Sequence, residues 1–76
     1  MNWNARLGLN IRLWRQTRGW SQQTLAGEAE LSLRFLAGIE RGEENPSLET
    51  LLAISRALEI DPSALFATTE TATPEQ

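Results

Sequence analysis

The chain of 76 residues contains no cysteine and no histidine, and all seven of its basic residues are arginine. Without cysteine, neither a disulfide nor a thiolate metal site can form. Without histidine, the commonest general base and metal ligand is missing. The longest apolar runs, such as residues 51–54, are only a few residues long, whereas a membrane-spanning helix needs about 20. We therefore expect one small cytoplasmic domain without signal peptide, membrane partner, metal, cofactor, small-molecule ligand or enzymatic activity.

The net charge of −3 conceals an asymmetry along the chain. Residues 1–42 carry six arginines and three glutamates, a net charge of +3, whereas residues 43–76 carry one arginine and seven carboxylates, a net charge of −6. The guanidinium group suits phosphates and guanine edges. A basic first half therefore indicates a nucleic-acid surface, although ordinary surface charge gives the same count.

Apolar residues recur at helical spacing and predict five helices and no strand. Leu7, Ile11 and Trp14 lie on one face of a first helix over about residues 4–18. The third helix is expected over about residues 32–41. The predicted N-caps of the second to fifth helices are Ser21, Ser32, Ser47 and Asp61. Residues 1–66 are interpreted as one domain, and residues 67–76, which lack large apolar side chains, as a disordered tail.

The second and third helices, within residues 21–42, are short and closely spaced. The apolar residues of the third helix fall on one side. Its other side carries the small residues Ala37 and Gly38 between Arg34 and Arg41. A helix of this kind fits the major groove of B-DNA, where arginine pairs with guanine. Such a face can approach another surface closely.

At these residues the sequence resembles the lambdoid repressor and Cro family. The motifs that carry the resemblance are Ser21-Gln22-x-x-Leu25-Ala26, Ile39-Glu40-Arg41-Gly42 and Asn45-Pro46-Ser47-Leu48. The likeness runs from about Leu7 to Phe66, and within the family the chain is most similar to the controller proteins of restriction–modification systems. The resemblance implies an all-α, compact five-helix lambda-repressor-like DNA-binding domain. It also implies a homodimeric, sequence-specific transcriptional regulator of a (pseudo)palindromic operator on double-stranded DNA.

The resemblance carries DNA contacts over to nine positions. Gln22 and Gln23 match phosphate contacts at a helix N-terminus, where free N–H groups favour an anion; the alternative is that they are only solvated. Arg41 and Asn45 match further backbone contacts. The base-reading positions are Ser32, Leu33, Arg34, Ala37 and Gly38. Arg34 is the main candidate for a base contact, with a phosphate contact or a free surface position as alternatives. Leu33 is placed either at a thymine methyl or in a dimer or packing contact.

Other positions are assigned structural roles. In the family, an arginine of the first helix pairs with the glutamate that ends the third; here these are Arg15 and Glu40, expected as a partly buried bidentate pair. Trp14 and Trp20 are predicted to pack in the core, and Trp3 either fastens the N-terminus or joins a dimer. The predicted homodimer interface consists of Ile60, Leu65 and Phe66 because a short fifth helix cannot bury so much apolar surface.

Two departures from the family pattern affect the expected binding. Glu43 and Glu44 stand where relatives often carry basic residues, which should weaken sequence-independent binding and its salt slope. Ala37 and Gly38 supply no side-chain hydrogen bonds, so DNA shape is expected to contribute to recognition. Two alternative functions fit the same fold: an antitoxin that represses its own toxin–antitoxin module, or a protein-interaction module without a DNA role.

Overall fold

The structure, a computed structural model, describes residues 2–67 and contains four α-helices and one 3₁₀-helix. These are α1 (Trp3–Thr17), α2 (Gln22–Ala29), α3 (Leu33–Glu40), α4 (Leu48–Leu58) and the 3₁₀-helix η1 (Pro62–Phe66). The all-α prediction is confirmed for these residues. The count of five helices is wrong because the fifth segment closes i→i+3 bonds, with Ala64 N donating to Asp61 O at 2.9 Å. Apart from Ala67, the predicted tail lies outside the described residues.

A side chain just outside each helix accepts from one or two of its first N–H groups, which have no partner within the helix. Ser21, Ser32 and Ser47 each accept a hydrogen bond from the N–H three residues later, so these predicted N-caps are confirmed. Asn2 caps α1 in the same manner by accepting from Asn4 N and Ala5 N. Because of this additional cap, α1 begins at Trp3 rather than at residue 4.

A single apolar core lies between the helices. α1 packs against α3 and η1, α2 packs against α3 and α4, and α4 also contacts η1. Trp14 and Trp20 pack against the edge of this core, as predicted. Eleven side chains form the core itself: Leu7, Ile11, Leu25, Ala26, Ala29, Leu36, Ile39, Leu51, Ile54, Leu58 and Leu65.

Two glycines allow α1 to lie directly against the C-terminal end of α3. A Cβ placed on Gly8 would overlap the carbonyl oxygen of Ile39 and would lie 2.6 Å from that of Glu40. Gly42, which follows α3, has φ +78°, and a Cβ there would lie 2.9 Å from Cα of Ala5. The position of α3 relative to α1 is therefore set by backbone contact.

Within residues 2–67, none of the helices combines the length and apolarity that crossing a bilayer requires.

Candidate nucleic-acid interface

The angle between the helices at this site is held by a buried ion pair. Arg15 Nε donates to Glu40 Oε2 at 2.8 Å, and its Nη2 donates to Oε1 at 3.0 Å. The side chains are only 11% and 3% exposed. Arg15 Nη1 also donates to the carbonyl of Trp20 at 2.8 Å, and Gln22 Nε2 donates to Glu40 Oε1 at 3.0 Å. This cluster joins α1, the turn before α2, the start of α2 and the end of α3.

The solvent-facing side of α3 carries most of the predicted base-reading positions. Ser32, Leu33 and Arg34 are exposed, and Ala37 is partly exposed. Leu33 retains 46% of its surface, so its methyl groups are accessible to a ligand. The Ser32 hydroxyl accepts from Phe35 N at 3.0 Å and so also caps the helix. No ion pair of Arg34 is found within the described part of the chain. Its guanidinium is thus available to a ligand.

Gly38 differs from the other predicted base-reading positions because it is buried. The side chain of Glu44 covers it: a Cβ on Gly38 would lie 2.8 Å from Cγ and 3.2 Å from Oε2 of Glu44. The sequence predicted that the middle of the exposed side of α3 carries no large side chain. In the structure this holds at Ala37, whereas the Glu44 carboxylate covers Gly38.

A second group of predicted contacts lies at the N-terminus of α2. Gln23 is exposed there, whereas the Gln22 side chain is half-buried and already bonded to Glu40. A groove of about 520 Å³ passes this helix end, lined by Arg12, Arg15, Ser21, Gln22, Glu40 and Arg41. Arg12 was missed from the sequence. Its signal is the i, i+3 spacing to Arg15, which puts both on neighbouring turns of one side of α1.

Arg41 and Glu43 form an exposed ion pair just after the C-terminus of α3. Arg41 Nη2 lies 3.0 Å from Glu43 Oε1, with the side chains 57% and 60% exposed. The hydrogen bond to Arg41, followed by its charge, lowers the pKa of the Glu43 carboxyl. The same hydrogen bond raises the pKa of Arg41. Asn45, the remaining predicted backbone contact, is also exposed. An exposed pair of this kind is easily exchanged for another anion.

The three residues predicted for the dimer interface are placed differently. Leu65 is completely buried in the core of the single chain, so the assignment of its side chain to an interface is corrected. The short 3₁₀-helix hides Leu65 because it lies across α1 and α4. Ile60 is half-buried and packs against the core. Phe66 keeps 42% of its surface, and its ring centre lies 6.4 Å from that of Trp3, itself 52% exposed.

Asn10 holds η1 in place and was also missed from the sequence. It is 9% exposed, and its Nδ2 donates to Leu65 O at 2.8 Å and Ala67 O at 2.7 Å. The signal available was a polar residue next to Ile11 on the apolar side of α1. Such a position usually requires buried hydrogen-bond partners.

The chain is similar to transcriptional regulators of one family. Residues 11–65 match the family model described as helix-turn-helix. The immunity repressor protein of Bacillus phage phi105 is 46% identical over 59 residues, which are 78% of this chain and 41% of the repressor. The chain thus spans about two fifths of that relative's length. The control protein C.BamHI of Bacillus amyloliquefaciens is 38% identical over 66 residues, 83% of this chain and 82% of C.BamHI.

The fold of one solved relative is also similar. The crystal structure of the restriction-modification controller protein C.AhdI from Aeromonas hydrophila matches with a TM-score of 0.82 and 38% identity. The match covers 83% of this chain and 96% of C.AhdI. The resemblance inferred from the motifs, to repressors and to controller proteins, is confirmed.

Proposed function

The chain belongs to the helix-turn-helix family of transcriptional regulators, and from this premise we propose that it is a sequence-specific regulator that binds operator DNA as a homodimer. The cytoplasm is its site of action, and it has no enzymatic activity. A single observation carries the proposal: α3 presents an exposed face bearing Arg34 and is locked to α1 by the buried Arg15–Glu40 pair. The match to C.BamHI and C.AhdI over more than 80% of each chain supports a controller protein of a restriction–modification system.

Base recognition is assigned to the exposed side of α3. With this helix in the major groove, the Arg34 guanidinium donates to N7 and O6 of a guanine. Leu33, one position earlier, offers its exposed methyl groups to a thymine methyl. Arg34 has no ion pair within residues 2–67, so no partner must be displaced before its guanidinium contacts a base. The Arg15–Glu40 pair would keep α3 at a constant angle to the rest of the domain.

Phosphate contacts are assigned to both ends of this arrangement. At the N-terminus of α2, a DNA phosphate would accept hydrogen bonds from Gln23 and from the unpaired backbone N–H groups. Arg12 lines the groove beside this helix end. At the end of α3, Arg41 exchanges Glu43 for a phosphate, and Asn45 lies beyond it. Contacts of this kind fix the register of the protein on the duplex but carry no sequence information.

A second copy of the chain is part of the proposal because one α3 helix reads only half a site. Helix-turn-helix dimers bind two half-sites whose centres lie roughly 34 Å apart, one turn of B-DNA. Phe66 with its neighbour Trp3, and the half-exposed Ile60, supply the apolar surface assigned to the dimer contact. Burying two aromatic rings per chain contributes substantially to association.

Two arginine substitutions test the DNA-binding function. Arg34→Ala removes the proposed base contact, whereas Arg56→Ala removes an equal charge from an exposed position on α4, beside Glu28, Glu30 and Glu59. On a duplex selected from a randomised pool, we expect Arg34→Ala to bind at least about 30-fold more weakly, since the dimer loses two bidentate base contacts of about 1–3 kcal/mol each. Binding by Arg56→Ala should stay within about twofold of the wild type.

Fluorescence anisotropy of labelled duplexes measures these affinities, and thermal unfolding verifies that both variants fold. Equal losses for the two variants would show that only the overall charge matters. A protein-interaction module, the alternative function, predicts that Arg34→Ala changes nothing because no specific duplex is bound at all.

A further inference from the structure

The carboxylate of Glu44 lies at the one place on the α3 face where the helix has no side chain of its own. A Cβ on Gly38 would meet Cγ of Glu44 at 2.8 Å and its Oε2 at 3.2 Å. Ala37, next to it, has only a methyl group. Between Arg34 and Arg41, Glu44 therefore supplies the acceptor group that α3 itself lacks.

The two neighbouring acidic residues of this loop are in different situations. Glu43 is paired with Arg41 at 3.0 Å. Glu44 makes no ion pair within residues 2–67, and it remains exposed while its side chain lies over Gly38. The Glu44 carboxylate is thus an acceptor without an ion-pair partner in this part of the chain, on a surface that also carries the donors of Arg34 and Arg41. The loop is held close to α3 because Glu43 N donates to Gly38 O at 2.9 Å.

This inference rests on the proposed function: we propose that Glu44 is a base-reading residue whose carboxylate selects a cytosine in each half-site. Cytosine presents its N4 amino group as a donor in the major groove, and carboxylates accept from it. Guanine presents N7 and O6, and thymine presents O4, all acceptors that repel a carboxylate. Adenine presents an acceptor, N7, next to its N6 donor. The N7 atom repels a carboxylate, so adenine is a poorer partner than cytosine.

The negative charge makes the selection sharper. A carboxylate brought among phosphates costs affinity on every sequence, and only a base that donates a hydrogen bond to it offsets that cost. Discrimination by an element that is unfavourable with the wrong partner is a common source of specificity. Glu43 is placed differently, because its carboxylate lies at Arg41 and not over Gly38. Its charge therefore acts on the backbone contact of Arg41 and weakens binding to all sequences alike.

Selection from a randomised duplex pool, carried out in parallel with the full-length wild type, Glu44→Gln and Glu43→Gln, tests the assignment. The two variants remove the same charge at adjacent exposed positions. For the wild type we expect one position per half-site at which cytosine is preferred by about fivefold or more. Glu44→Gln should lose that preference, or move it to adenine, which a glutamine amide contacts at N6 and N7. Glu43→Gln should keep it while binding all duplexes more tightly.

Gly38→Ala gives a second test that leaves Glu44 in the chain. The added methyl group occupies the space of the Glu44 Cγ and forces the carboxylate away from the face. We expect the same loss of the cytosine preference. Alanine also stabilises the middle of a helix relative to glycine, so the variant is expected to fold.

The outcomes separate this inference from the function on which it rests. If Glu44→Gln enriches the same site with the same base preferences, or tightens binding to all duplexes equally, Glu44 acts only as a charge and the inference fails while the proposed function stands. If the wild type enriches no sequence, the proposed function fails, and the assignment of Glu44 fails with it.

Discussion

At the scale of single residues, the Arg15–Glu40 pair shows how a buried charge is used for position. Removing two charges from water is costly, and the attraction between them offsets this cost only when the geometry and the other hydrogen bonds are good. Here the pair is bidentate, and Trp20 O and the Gln22 amide bond to the remaining groups. The net contribution of such a pair to stability is small, but each partner depends on the other.

Replacing both partners should therefore cost less than the two single replacements added together. We expect Arg15→Ala and Glu40→Ala each to lower the free energy of unfolding by about 3 kcal/mol, because each leaves an unpaired buried charge. The double substitution should cost clearly less than the sum of the two. Urea denaturation of the four proteins gives the coupling energy.

The exposed Arg41–Glu43 pair is the matched control for this double-mutant cycle, which compares the wild type, the two single variants and the double variant. Its nitrogen–oxygen distance of 3.0 Å is similar to the 2.8 Å of the buried pair, but both of its side chains are mostly in solvent. The same cycle should give little or no coupling there. Additive effects at Arg15 and Glu40 would contradict the positional role.

Residues were predictable from sequence where a family motif or a local pattern determines them. Arg15 and Glu40 were assigned from family motifs, and the N-cap serines from their position before a helix. The bond from Gln22 to Glu40 and the position of Glu44 over Gly38 were not predicted. Both depend on the direction of a side chain toward another element, which spacing along the chain does not specify.

At the scale of elements, α3 is held by the close approach of α1 at Gly8. The backbone carbonyls of Ile39 and Glu40 fill the space that a Cβ would need. Gly27, in the middle of α2, is the opposite case, since nothing lies within 4 Å of the Cβ position. The first glycine is required by packing, and the second is not.

The same substitution at these two positions should have opposite effects. Gly8→Ala must push α1 away from α3, and we expect it to lower the free energy of unfolding by about 2 kcal/mol or more. Gly27→Ala only improves helix propensity, so we expect it to raise the free energy of unfolding by up to about 1 kcal/mol. Chemical denaturation of both variants measures the two changes. A Gly8→Ala variant as stable as the wild type would contradict the packing derived for α1 and α3.

The one element whose type was mispredicted is the last. Asp61 begins it as expected, and the bond from Ser63 N to its carboxylate at 2.9 Å lowers the pKa of that carboxyl. Nothing in residues 61–66 alone, however, distinguishes an α-helix from a 3₁₀-helix. Asn10 binds the carbonyl oxygens of Leu65 and Ala67 from α1, 55 or more residues away along the chain. Tertiary contact of this kind overrides local preference.

At the scale of the whole molecule, charge is distributed unequally although the total is negative. Arg12 on α1, Arg34 on α3 and Arg41 just after α3 lie around the candidate interface. Glu28, Glu30 and Glu59 instead line a groove between α2 and α4. An uneven field orients a protein before it touches DNA, even when the net charge is −3. The charge asymmetry was visible in the sequence. The burial of Leu65, which removes it from the dimer surface, was not, because it depends on how η1 lies across α1 and α4.

The most direct test of operator binding by a homodimer is the selection of duplexes from a randomised pool by the wild-type chain. Sedimentation then gives the stoichiometry of the selected complex, and a salt series gives the salt dependence of its affinity. We expect a two-fold symmetric site whose half-site centres lie about 34 Å apart, bound by two chains, with affinity that falls as salt rises. Failure to enrich any sequence, together with no salt-sensitive binding even at low salt, would contradict the assignment of this helix-turn-helix to DNA.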